Sequence, residues 1–422
     1  MFYEKFEIEK NSVIGITGSG GKTSLMFLLA NELSKRGKVL VTTTTKIYKP
    51  LEEQYEYLFL IDKNKKIKGT GKNIFVLGKK IENGKIISPN EIDILKVKSC
   101  YDYIIYEGDG SKQKFMKFWK ENEPCILSFT DLVIGVGNIK SLNLLFNEEN
   151  IHRYNMYISN NKNEEIRYID KNVLKDYLLN GKFFKNYEGK KIIFLNGVEN
   201  FNEIKIALEF QKEIKNFVYG SIRDKKVYTN KNISAVVMGS GKSERFGKNK
   251  LLEKINGISM IEILLKKLVL FSFKNIFVTY KDKEILEICR KYNVIPLENK
   301  KYFLGQSESI KLGVKNIKDE NIMFFTGDMP LLSEETIFKI ISEYNGKITI
   351  PMVKNEKFSP VIFPNRYKKA LMLLSGDNGG REIIKNEKNL DFIEFFDKNQ
   401  FIDIDTKEDL KKLKGENKNV GK

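Results

Sequence analysis

Histidine and cysteine are nearly missing from this chain of 422 residues: His152 is the single histidine, and Cys100, Cys125 and Cys289 lie far apart without a CxxC pair. Zinc sites built on these ligands are almost excluded, and so is any catalytic triad except one that uses His152. Long apolar runs are missing too. No stretch approaches the roughly 18 to 20 uninterrupted apolar residues of a membrane span. The opening MFYEKFEIEKN has a lysine or glutamate every few positions, where a signal peptide would need an apolar run. The expectation is a soluble, cytoplasmic protein without a membrane partner. What chemistry remains must run on Asp, Glu, Lys, Arg, Ser, Thr and backbone amides, a set that suits Mg²⁺ and phosphates.

At roughly 100 to 200 residues per domain, the length allows two or three domains, each able to bury its own core. Lys+Arg 73 against Asp+Glu 55 leaves a formal charge of +18. A basic chain invites a nucleic-acid reading, but the lysines are spread beside asparagine and isoleucine with no concentrated basic segment. The pattern reads as a compositional bias, with attraction of polyanionic small ligands such as nucleotides as the alternative. No nucleic-acid partner is expected.

Two strand, glycine-loop, helix openings occur. The first is Ser12–Ile16, then TGSGGKT, then SLMFLLANELSKR; the second is Ile233–Met238, then GSGKSERFGKNK, then MIEILLKKLVLF. A short apolar run reads as a buried parallel strand, and a glycine turn into a helix N-terminus is a phosphate-binding device. Further strands are expected at Val39–Thr42, Tyr57–Ile61, Tyr103–Tyr106, Leu132–Val136 and Ile192–Leu195, then at Ile276–Tyr280, Ile322–Thr326, Ile348–Pro351 and Val361–Pro364. Alternation with helical stretches predicts an α/β protein with two doubly wound, mostly parallel sheets. Between the halves, 217–232 loses apolar periodicity and collects turn residues, placing a boundary near 228 to 233. The expected domains are 1–228 and 233–414, followed by a disordered tail at 415–422.

In the first half, Gly18, Gly20 and Gly21 precede Lys22 and Thr23. A phosphate loop needs glycines so that amides can face phosphate, a lysine for its oxygens and a hydroxyl for Mg²⁺. The first glycine of the usual GxxxxGK[ST] would fall on Ile16, and the variant present resembles the P-loop of the Mur ligase group. ATP or GTP is the expected ligand. Glu107 and Asp109, at a strand end and two residues apart, are metal-shell or general-base candidates; a turn-stabilising Asp before glycine is the bland alternative. Thr43 and Thr44 sit where α/β enzymes gather ligands, yet threonines are also simply good strand residues. His152 reads as a surface or packed histidine. Together VIGITGSGGKTS, VLVTTTTKIYKP, YEGDGSKQKFMKFWKENEP and IIFLNGVE resemble the YqeC-like proteins over roughly residues 10 to 225. That resemblance implies a nucleotide-dependent accessory step for selenium-dependent molybdenum hydroxylases, with such a hydroxylase as client. By position it makes Lys22, Thr23, Glu107 and Asp109 the nucleotide and metal candidates. Where that family has a proline-rich stretch after the acidic motif, this chain has Phe115-Met116-Lys117-Phe118-Trp119, so no substrate contact carries over there.

In the second half, the loop Gly239-Ser240-Gly241-Lys242-Ser243-Glu244-Arg245-Phe246-Gly247 leads to Lys250. Arg245 and Lys250, five apart on a glycine-bearing loop, can wrap a triphosphate and offset charge on a leaving pyrophosphate. The pattern resembles nucleotidyltransferases, with Gly239-Ser240-Gly241 replacing their usual Ala-Ala-Gly or Ala-Gly-Gly. Gly327-Asp328-Met329-Pro330 resembles their Asp-x-Pro metal site and makes Asp328 the leading Mg²⁺ ligand. Phe401-Ile402-Asp403-Ile404-Asp405-Thr406 resembles their closing DIDTPEDL block, so that Asp403 or Asp405 completes the metal shell; Thr406 and Asp409 form a capping box. Ser307 and Ser309 resemble a base and ribose loop, and Gly376-Asp377-Asn378-Gly379-Gly380-Arg381 resembles the MocA-like molybdenum cofactor cytidylyltransferases, bringing in Asp377 and Arg381. The resemblance implies in-line attack of an acceptor phosphate on the α-phosphorus of CTP, the acceptor being a molybdopterin-type cofactor. Such transfer is mostly positioning and charge neutralisation, so no protein nucleophile is required. The alternatives are a sugar-phosphate acceptor, GTP as donor, or a nucleotide-gated cofactor-insertion chaperone.

Overall fold

The computed structural model describes residues 1–160, 166–241 and 249–416. Ser243, Arg245 and Gly247 therefore lie outside the described residues. Contacts divide the chain into Met1–Asn230 and Lys231–Lys422, each described by itself below. Among the described residues no helix is long and apolar enough to cross a membrane.

The first unit is built on a ten-stranded sheet. Eight strands run parallel in the order Phe217–Ser221, Lys190–Asn196, Leu132–Asn138, Val13–Gly18, Tyr103–Glu107, Val39–Thr43, Ile74–Gly78 and Tyr57–Leu60. Antiparallel edges, Lys226–Thr229 and Lys65–Lys68, close the two ends. The central strands are buried along their whole length because both faces are covered, which their near-continuous Val, Ile and Leu content permits. Helix Lys22–Leu33 lays Leu25, Met26, Leu29 and Leu33 over Ile14, Val41 and Ile105, each buried leucine contributing about 2 kcal/mol of transfer free energy. Within 217–232, Phe217–Ser221 and Lys226–Thr229 pair as a β-hairpin turned at 222–225, and 230–232 connects the units.

The second sheet runs Ile295–Glu298, Ile276–Tyr280, Ile233–Met238, Asn321–Thr326, Val361–Phe363, Ile348–Val353 and Glu356–Lys357, with Leu390–Glu394 also beside Ile348–Val353. The first four strands are parallel and Ile348–Val353 pairs parallel with Leu390–Glu394, so the sheet is mostly parallel as expected, but Val361–Phe363 is antiparallel to both neighbours. The cause is local: Lys354 and Asn355, at φ of 46° and 69°, turn the chain back on itself. A similar device alters the second opening. Asn256 and Gly257, at 50° and 84°, turn a small hairpin of Lys254–Ile255 with Ile258–Ser259. That hairpin and a 3₁₀ turn at Lys250–Leu252 precede helix Met260–Leu268, so that helix does not begin directly after Lys250. At the C-terminus, helix Lys407–Glu416 extends past the expected start of the tail, and 417–422 lie outside the described residues.

Candidate functional site

In the first unit, strand Val13–Gly18 delivers the glycine loop at the end of the sheet where parallel α/β proteins bind ligands. Gly20 takes φ +79°, and a Cβ there would lie 2.4 Å from Cβ of Asn138; one on Gly21 would lie 2.5 Å from Nδ2 of Asn196. Asn138 and Asn196 end adjacent, in-register strands, and both donate to the Gly20 carbonyl, at 2.7 and 2.9 Å. They fix the loop from below. The sequence reading singled out neither: Asn196 lay inside IIFLNGVE, and Asn138 carried no signal beyond following an apolar run.

Lys22 opens its helix behind Gly21, which supplies no side-chain cap. The first-turn amides thus have no intrahelical acceptor and suit an anion. Nζ of Lys22 donates to the Gly18 carbonyl at 2.7 Å and to Ser111 Oγ at 3.1 Å, and lies 3.6 and 3.5 Å from Glu107 and Asp109. Thr23 Oγ1 donates to Glu107 Oε2 at 2.6 Å. This hydroxyl–carboxylate pair is the arrangement that can hold a phosphate-bound cation, since Mg²⁺ takes one or two protein oxygens and completes its shell with phosphate and water.

Asp109, Thr43 and Thr44 are all engaged within the protein. Asp109 is wholly buried, with Gly18 N–H donating to both its oxygens at 3.0 Å, Trp119 Nε1 donating to Oδ2 at 2.7 Å and Lys117 Nζ 2.9 Å away. Protein donors occupy both its oxygens, which ties the strand end to the glycine loop. Thr43 and Thr44 give their hydroxyls to main-chain carbonyls of Glu107 and Cys125, which holds the strand end together. Lys117 was missed as a site residue. It is wholly buried, and desolvation lowers its pKa even though Asp109 and Glu123 oppose that effect. His152 is half-buried, and desolvation together with Arg153 and Lys117 pushes it down to about 4.

In the second unit, Met238, Thr279 and Thr326 are paired at the ends of adjacent strands. Gly239 must be small, because a Cβ would meet the Thr279 carbonyl at 2.6 Å. Ser240 and Ser309 are buried and 2.8 Å apart, and Asn299 donates to both. Ser307 Oγ is buried without a partner. Ser240 and Ser309 brace the loop through each other and Asn299, whereas Ser307 Oγ makes no such bond, and none of the three lines the cavity described next. A Cβ on Gly241 would meet nothing within 4 Å among the described residues.

A cavity of about 530 Å³ opens among Thr326, Lys357, Asp377, Arg381, Lys385 and Asp403. Asp377 and Arg381 thus line it together with Lys357 and Lys385, which add to its positive charge and which the sequence did not single out. Gly305, at φ +110°, packs against the Gly376 backbone, and Ser307 N–H donates to the Gly376 carbonyl at 3.1 Å, joining the two loops. Beside the cavity, Lys250 Nζ lies 2.6 Å from Asp328 Oδ2 and 2.7 Å from Asp405 Oδ1. Burial works against its charge, but the two carboxylates outweigh that and raise its pKa. Asp403 accepts from Thr326 Oγ1 at 3.0 Å; desolvation and the Asp328 carboxylate push it up to about 7. Asp328 Oδ1 is buried without a hydrogen-bond partner. An orphaned carboxylate oxygen beside a second carboxylate that resists ionisation fits a divalent cation. Among the described residues, no group of three or more His, Cys, Asp and Glu could hold one alone, so nucleotide phosphates would have to share its coordination.

Residues 14–155 match the family described as YqeC protein, and 235–391 match the MobA-like NTP transferase domain. The chain therefore joins a YqeC domain to a MobA-like NTP transferase domain. An uncharacterized YqeC protein of Escherichia coli is 34% identical over 35% of this chain and 60% of its own length, so the match leaves two fifths of that relative unspanned. A probable molybdenum cofactor guanylyltransferase of Aquifex aeolicus is 26% identical, covering 42% of this chain and 88% of the relative. The molybdenum cofactor cytidylyltransferase of E. coli is 25% identical over 42% and 93%.

Proposed function

We propose that the second unit transfers a nucleoside monophosphate from an NTP to a molybdopterin-type cofactor, releasing pyrophosphate. The observation that carries this reading is the cluster of Asp328, Asp403 and Lys250 at the strand ends beside a cavity with a cationic far wall. Asp328 and Asp403 would hold Mg²⁺, which neutralises phosphate charge when bound. Lys250 and Arg245 attract the leaving pyrophosphate, and Lys357, Arg381 and Lys385 draw in a phosphorylated acceptor. CTP is the donor on the strength of the Gly-Asp-x-Gly-x-Arg block; GTP is the second reading, favoured by the guanylyltransferase relatives. The first unit binds ATP or GTP with Mg²⁺ at its P-loop through Lys22, Thr23 and Glu107 and serves a molybdenum hydroxylase client in the cytoplasm.

The test is pyrophosphate release by the purified chain with Mg²⁺ and molybdenum cofactor, with CTP, GTP and ATP compared side by side. CTP should win. No release with any nucleotide, given an active acceptor, overturns the transfer reading. Lys250→Ala should abolish release while Lys22→Ala leaves it intact.

A further inference from the structure

The first unit holds a second cavity, about 610 Å³, whose walls include Phe118, Trp119, Phe146, Tyr157 and Tyr177. This volume is typical of small-molecule sites. Trp119 and Tyr177 are stacked at 5.6 Å with planes 19° apart. Tyr157 meets Phe118 at 5.1 Å and Phe146 at 4.8 Å. Aromatic walls of this kind pair best with another flat ring. The rim has different chemistry. Helix Lys171–Asn180 begins at Asp170, whose carboxylate caps Val173 N–H at 2.8 Å, and its four-residue spacing sets Asn172, Asp176 and Asn180 in one row at the cavity. Asp176 is exposed and accepts from Asn180 Nδ2 at 2.6 Å. A carboxylate with two oxygens matches an N–C–N edge bearing two N–H donors, and flanking amides can meet an adjacent carbonyl. The cavity also adjoins the glycine loop: Trp119 donates to Asp109, and the Tyr177 hydroxyl lies 3.1 Å from Ser19 Oγ.

We propose that this cavity binds a planar heteroaromatic ring with a 2-amino-4-oxo edge, the shared chemistry of pterins and guanine, stacked against the aromatic walls with its N–H edge on Asp176. The assignment does not depend on the reaction of the second unit, nor on the P-loop nucleotide.

Trp119 is the single tryptophan of the chain, so emission starts at this wall, and the variants named below assign the quenching to it rather than to a pterin on the second unit. Titration of the full-length protein with 6-methylpterin, which absorbs where tryptophan emits, should give saturable quenching. Asp176→Asn should weaken binding about tenfold, the usual effect of losing a charged hydrogen-bond partner, with the far-ultraviolet circular dichroism unchanged because the side chain is exposed. Tyr157→Ala should weaken it also, and lumazine, which lacks the 2-amino group, should bind less tightly than the pterin. Guanosine in competition separates the two sources: displacement of the pterin assigns the site to either ring, and failure to displace assigns it to pterins, both in keeping with the proposal. Absence of quenching together with no retention of the pterin in equilibrium dialysis overturns it. So does unchanged affinity in either variant, lumazine binding as tightly as the pterin, or displacement of the pterin by Mg-ATP, which would make the cavity the base pocket of the P-loop.

Discussion

Asp109 carries its charge in a place closed to solvent, held by an amide, an indole and the ammonium of Lys117. Removing one partner from such a group leaves the other uncompensated, which typically costs about 3 to 5 kcal/mol, whereas removing both costs less than the sum. Lys117→Met and Asp109→Asn should each lower the urea midpoint of the first unit strongly. The double variant should recover part of that loss; strict additivity would show that the pair is not coupled. His152 gives a second test at this scale. Its folded pKa lies below the ordinary histidine value, so the unfolded chain takes up the proton first as pH falls. Stability is therefore full above about pH 6.5 and falls away toward pH 4, by about 1 kcal/mol once solvent screening is allowed for. Denaturant melts of His152→Gln across that window should lack this component. Lys117 also marks where the sequence was illegible. A lysine among aromatic residues reads as an ordinary solvated charge until the fold shows Asp109 beside it.

At the scale of elements, most central strands could be read directly, because a strand covered on both faces has to be an apolar run, as in Ile233–Met238 and Ile276–Tyr280. What escaped were short edge pieces such as Lys65–Lys68 and Lys226–Thr229, whose exposed faces carry lysine and whose partners lie elsewhere. The sites divide in the same way. Glycine loops and strand-end acids announce themselves locally, whereas Asn138 and Asn196 acquire meaning only when the sheet sets them side by side under Gly20. The pairing of Ser240 with Ser309 was hidden for the same reason, since the two hydroxyls meet only in the fold. The two loops should respond differently to one added methyl group. Gly20→Ala combines a left-handed backbone with a 2.4 Å clash and should cost at least about 2 kcal/mol. Gly241→Ala meets nothing within 4 Å and should change stability by less than about 0.5 kcal/mol. Thermal melts of the two variants, compared with the parent, decide it.

For the molecule as a whole, the division at Asn230 and Lys231 follows two separate sheets, each with its own buried core. Units of this size can fold alone. Expressed separately, 1–230 and 231–422 should each unfold in one cooperative step by calorimetry, and the second fragment should keep the pyrophosphate-releasing activity; a fragment that fails to fold would tie the two cores together. With the ammonium of Lys250 clasped between Asp328 and Asp405, the second unit also carries its own counter-ion. A carboxylate cluster that relied on a dissolved ion to fold would unravel whenever that ion ran short, as small metal-dependent domains do. Here a tethered charge keeps the acids quiet in the meantime. If the proposed transfer needs Mg²⁺, a chelator should halt turnover without melting the fold, so scarcity of the ion would become a pause in synthesis that ends when the ion returns, with no protein to replace.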